Sequence, residues 1–161
     1  MGVPYEPTDV LHADPTEATG TVTVGGAASG VLVGGLLTAL STEAGAGLPP
    51  LDGAILFLEH PLGGLRHVDR ALTQLRRSGA LQGLRGVALG QFFGFEDDPT
   101  ASQDGGWKIT DVLTEHFGGL GIPVLGGLPV GHRDRPATLP LGTEAVLDGT
   151  ARTLTVAPAV T

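Results

Sequence analysis

The sequence predicts an α/β domain in three layers: a small parallel sheet, helices on one side of it and an antiparallel sheet on the other. Three observations carry this expectation. In the middle of the chain, short apolar runs alternate with segments of helical period, the pattern of βαβ units. After His132 the pattern changes to short strands of alternating character. The 27 glycines and 12 prolines among 161 residues favour tight turns and close backbone approaches over a long-helix bundle.

Residues 1–20 contain Pro4, Pro7 and Pro15 among scattered acids, with no sustained period, and are expected to form a linker or extended lead-in to a domain spanning 21–161. Residues 21–24 alternate polar and β-branched side chains, which predicts a short strand broken by the GGAASG that follows. Residues 30–42 read as strand, turn and helix. Val31, Leu32 and Val33 make the strand, Gly34 and Gly35 the turn, and Leu36, Leu37 and Leu40 the start of the helix.

Residues 54–58 form an unbroken apolar run, which fits a central strand buried on both faces. A helix follows over 65–78, with Leu65, Val68, Leu72 and Leu75 on one face and Gly79 as its stop signal. The next strand spans 87–93, and Ile109, Val112, Leu113 and Phe117 mark a second amphipathic helix ended by Gly118 and Gly119. Val124 and Leu125 supply a third inner strand, so the middle of the chain reads β-α-β-α-β with right-handed crossovers. Short strands are then expected at 138–141, 144–147 and 153–156, the last two joined in a hairpin around Asp148 and Gly149.

Composition removes several functional classes. A formal net charge of -8 argues against nucleic acid as a partner. With no cysteine, neither a disulfide framework nor a thiolate zinc site is possible, which fits a cytoplasmic protein. The longest apolar stretch, residues 30–40, is too short to cross a bilayer, and the N-terminus lacks the layout of a signal peptide. No membrane association is expected.

The chemistry concentrates at two strand ends. Glu59 closes the run GAILFLEH (53–60), and His132 follows the run PVLGGLPVGH (123–132). Open α/β sheets build active sites where parallel strands surface. An imidazole that takes and returns a proton, oriented by a carboxylate, is two thirds of a hydrolase triad. Taken singly, each residue is far more often an ordinary solvated side chain than a catalytic one. None of Ser29, Ser41, Ser78 or Ser102 lies in a nucleophile-elbow context such as GxSxG.

Other clusters are weaker. His60, His67 and Asp69 lack a recurring metal-ligand spacing, and no metal is expected. Asp69 and Arg70 lie early on a helix, where an acid favours the dipole and a structural role follows. The glycine pairs at 34–35, 118–119 and 126–127 match no phosphate loop and read as turns. Glu96, Asp97, Asp98 and Asp104 read as a solvated acidic loop pinned to the body by Trp107.

Five blocks, GAILFLEH (53–60), VDRALTQLRRSGAL (68–81), GVALGQF (86–92), GIPVLGGLPVGH (121–132) and ATLPLGTEAVLD (137–148), resemble in order the C-terminal half of the LD-carboxypeptidases, a serine peptidase family. The resemblance runs from about Ala28 onward. It implies a swivelling β/β/α domain in which Glu59 and His132 are the acid and base of a Ser-Glu-His triad, with no cofactor. In that family the serine belongs to an N-terminal domain, in a glycine-aromatic-Ser-Asp turn found nowhere in these residues, so the chain alone is expected to be inactive. The implied substrate is a muropeptide that loses a terminal D-alanine during cytoplasmic cell-wall recycling. Immunity relatives cleave the peptidyl-nucleotide antibiotic microcin C instead. The implied partners are the N-terminal domain and, through an uncovered docking face, a second copy in a homodimer.

Two departures stand out: Leu36 replaces an asparagine of the family's GGN turn, and His60 replaces an acid after the catalytic Glu. Arg133, Asp134 and Arg135 make the loop after the histidine charged; the two arginines either face a substrate carboxylate or, the reading favoured from the sequence, are solvated or paired with Asp134. The competing reading is a non-catalytic interaction or dimerisation module that kept the fold and lost the enzyme.

Overall fold

The computed structural model describes residues 9–61, 63–95, 105–133 and 135–158. Among the described residues, seven strands, β1 (Asp9–His12), β2 (Ala27–Leu36), β3 (Ile55–His60), β4 (Gly86–Phe92), β5 (Val124–Leu125), β6 (Glu144–Asp148) and β7 (Thr153–Val156), form one continuous sheet in the order β1-β7-β6-β2-β3-β4-β5. The helices are α1 (Leu37–Glu43), α2 (Leu65–Arg77) and α3 (Ile109–Phe117). From β2 to β5 the strands are parallel; β1, β7, β6 and β2 pair antiparallel.

β2 serves both halves. Ala27 to Val31 pair with β6, and Leu32 to Leu36 pair with β3. The sheet folds over along this strand, and two apolar cores separate three layers. All six residues of β3 are buried, so its alternating side chains feed both cores. Leu56 and Leu58 join the helix residues Val68, Leu72, Leu75, Leu113 and Phe117. Ile55 and Phe57 join Ala145, Leu147, Leu154 and Val156 of the antiparallel strands. The predicted three-layer α/β arrangement is the one observed.

The helices obey local rules. α2 buries Leu65, Val68, Ala71, Leu72 and Leu75 on one stripe, carries Arg76 and Arg77 where the dipole favours cations, and stops before Gly79, whose φ is +83°. α3 opens with the Lys108 N–H donating to Asp111 Oδ2 at 2.7 Å. The β6–β7 hairpin forms as expected, closed by the Ala151 N–H on Asp148 Oδ1 at 2.7 Å.

Several local expectations are corrected. The expected strand at 21–24 reduces to a single antiparallel bridge, Val24 to Val124, on a partner strand, β5, of only two residues. No strand forms at 138–141, where Pro140 removes a ladder donor. GGAASG interrupts the chain only at Gly25 and Gly26: β2 begins at Ala27 and runs straight through Gly34 and Gly35 into α1 without a turn. Within the expected lead-in, Asp9–His12 is strand β1 on β7, and residues 13–20 are tied down by the Asp14 N–H on the Gly127 carbonyl and Thr19 Oγ1 on the Gly90 carbonyl. The acidic loop, with Glu96, Asp97, Asp98 and Asp104, lies outside the described residues, and Trp107 is about half exposed.

Asp69 sits one turn deeper in α2 than a dipole role requires. Its Oδ1 instead accepts from His116 Nε2 of α3 at 2.8 Å, clasping the two helices; the imidazole is buried and the carboxylate exposed. Asp69→Ala leaves a buried N–H unpaired and should cost about 1 kcal/mol, the lower end for such a loss because water reaches this side. Asp69→Asn, which still accepts, should cost less in urea unfolding. Gly34 has φ +147° and a Cβ there would strike the Phe57 carbonyl, whereas Gly35 has φ +143° and open space before it. Gly34→Ala should therefore destabilise by about 3 kcal/mol or more, and Gly35→Ala only by the strain of its dihedral, about 1 kcal/mol. Equal losses in parallel urea titrations would contradict this.

Candidate active site

The parallel strands end together, and their C-terminal edge carries the site. Glu59 is the penultimate residue of β3, buried at 6% exposure. His132 arrives on the loop after β5, which runs on beside β4: the Leu128 N–H donates to the Leu89 carbonyl and the Gln91 N–H to the Val130 carbonyl. The two partners meet with His132 Nδ1 at 2.9 Å from Glu59 Oε2. A carboxylate only accepts, so the proton in this bond sits on Nδ1, and the neutral imidazole keeps a lone pair on Nε2. The His132 side chain is 56% exposed against 8% for Glu59. The ring is therefore held from its buried edge and open at the edge that would take a proton.

A change of register shapes the neighbourhood. β3 and β4 pair Leu58 with Leu89 and His60 with Phe92, so β4 holds one residue more than β3 between these pairs. Leu89 and Phe92 thus both face the helix core, and Gln91 is turned toward the site, as bulges beside active sites do. Glu17, Gln91, Phe93, His132 and Arg133 line one open pocket of about 420 Å³. Arg133 lays its guanidinium over the Phe93 ring at 5.4 Å from the centroid.

The remaining sequence candidates separate clearly. Arg135, in a left-handed backbone conformation at φ 55°, does not line the pocket. His60 points to the opposite side of β3, its ring 6.3 Å from that of Phe92 and 6.2 Å from that of Phe95, and has no part in the pair. Leu36 ends β2 in register with Glu59 on the neighbouring strand. Ser29, Ser41 and Ser78 lie in β2, in α1 and after α2, none of them in the pocket; Ser102 is outside the described residues. Among the described residues no group of three or more His, Asp or Glu could hold a metal ion, and no helix is long and apolar enough to cross a membrane. Gln91 and Glu17 were not anticipated. The available signal was a lone amide inside the otherwise apolar run GVALGQF.

Comparison with known proteins places the chain in a family. The LD-carboxypeptidase C-terminal domain profile matches residues 29–147. A Synechocystis sp. protein named as a carboxypeptidase is 40% identical over 130 residues, covering 80% of this chain and 42% of its own length. The microcin C7 self-immunity protein of Escherichia coli is 30% identical over 125 residues, covering 76% of this chain and 35% of its own. The crystal structure of muramoyltetrapeptide carboxypeptidase from Oxalobacter formigenes superposes with a TM-score of 0.78 at 30% identity, over 94% of this chain and 50% of that one. The chain spans half or less of the length of these relatives. It belongs to the LD-carboxypeptidase C-terminal domain family.

Proposed function

We propose that this domain is the acid–base half of a serine LD-carboxypeptidase that removes terminal D-alanine from muropeptides in cytoplasmic cell-wall recycling. The observation that carries the reading is the 2.9 Å bond from His132 Nδ1 to the buried Glu59, with the other edge of the ring open. In this reading, His132 Nε2 takes the proton of a serine hydroxyl supplied by an N-terminal domain, as Oγ attacks the peptide carbonyl. The imidazolium, stabilised by Glu59, then gives that proton to the departing D-alanine amine. Water, activated by the same imidazole, releases the acyl group from the serine. Arg133, beside His132 in the pocket, is assigned to the substrate's terminal carboxylate; Arg135 is not. A homodimer of the assembled enzyme belongs to the same proposal.

D-alanine release from a muramoyl tetrapeptide tests it, with this chain alone and mixed with the N-terminal domain of a related enzyme. Release should appear only in the mixture, and His132→Ala should reduce it by a thousandfold or more, on the order expected for loss of a triad base. Activity of the chain alone equal to that of an intact relative would overturn the assignment. Silence in both tubes would favour the non-catalytic module. Turnover of an aspartyl sulfamoyl adenosine in place of the muropeptide would move the substrate class to the peptidyl nucleotides handled by the immunity relatives.

A further inference from the structure

We infer that Gln91 is a positioning residue for His132, acting with Glu17 as a bracket on the loop that carries the imidazole. Its functional meaning rests on His132 being the general base; its geometry stands independently of the reaction. The Gln91 backbone N–H donates to the Val130 carbonyl at 2.8 Å, and its side-chain Oε1 accepts the Arg133 N–H at 3.0 Å. One residue thus holds the loop on both sides of Gly131 and His132. Gly131 lies against it at φ +152°, and a Cβ there would come within 2.8 Å of Gln91 Cβ.

The orientation of the amide is set by its neighbours. Glu17 Oε1, 3.2 Å from Gln91 Nε2, can only accept, and the Arg133 N–H can only donate. Only one of the two amide flips satisfies both, so the Glu17 carboxylate aims Oε1 at the loop. Gln91 is 4% exposed, and a buried amide without partners is costly. The loop conformation that offers it the Arg133 N–H is selected accordingly, and that conformation delivers Nδ1 of His132 to Glu59. The extra residue in β4 turns Gln91 to this side, and the Asp14 and Thr19 hydrogen bonds hold Glu17 there.

The test is nitrogen-15 NMR on the full chain, reading the tautomer of His132 and the exchange rate of the Arg133 amide. In Gln91→Leu, exchange should accelerate about tenfold, the factor for one lost hydrogen bond, and the Nδ1–H form should give way to a mixture of tautomers. Gln91→Glu should do the same by setting two carboxylates against each other. Adding Glu17→Gln to it exchanges the amide and the carboxylate, so that every donor again faces an acceptor, and both readouts should return to native values. A residue that merely fills space gives no such rescue. Native tautomer and protection in Gln91→Leu, or a double variant as disturbed as Gln91→Glu, would overturn the inference. If Gln91→Leu fails to fold, the charge-exchange pair decides. Neither readout needs a serine or a substrate, so the bracket can stand even if the peptidase assignment falls.

Discussion

A carboxylate buried at the end of a strand that is itself buried on both faces is the constraint on which the rest of this structure depends. Glu59 pays for its burial only if a donor reaches it, and the donor is brought from elsewhere in the chain by the loop after β5. The packing that fixes β3 therefore fixes one end of the pair. Helix residues press on Leu56 and Leu58, and antiparallel strands press on Ile55 and Phe57. Glu59 cannot move without disturbing a core, which is the rigidity that the orienting member of such a pair requires.

The site is also asymmetric in a useful way. The Glu59 side is buried and the His132 side is open, so the imidazole is oriented from within and offered outward. The parallel edge of the sheet gathers Leu36, Glu59, Gln91 and the His132 loop within a few residues of four strand ends. This is the place where open parallel sheets gather ligand-binding groups, and Leu128 and Val130 of the His132 loop pack there against the antiparallel strands.

Much of this was legible in the sequence, and the failures have physical causes. β3, α2, β4, α3 and β5 follow from periodicity because each is packed against a core and its pattern reflects that packing. β1 was invisible: four residues on a sheet edge need no strong pattern when β7 supplies the partners. The strand expected at 21–24 had the right alternation but only one bridge available, since pairing is decided by what lies opposite. Gly34 and Gly35 read as a turn because glycine pairs usually do, yet here the first of them lets β2 press its backbone against the Phe57 carbonyl. For the candidate site, Glu59 and His132 stand at the ends of apolar runs, which made their positions, though not a role, legible in the sequence. Gln91 was not, because an extra residue in β4 reverses the side it faces, and no single-sequence period announces a bulge. Glu17 lay in a segment without periodicity, and its role exists only through that same bulge.

The central claim is that His132, held by Glu59, activates a serine brought by another domain. The most direct measurement is the rate at which an organophosphonate labels that serine in an enzyme containing both domains. Labelling should slow by on the order of a thousandfold in His132→Ala and by a smaller factor in Glu59→Gln, as for a lost base and a lost orienter. Labelling of His132→Ala at the unaltered rate would contradict the account.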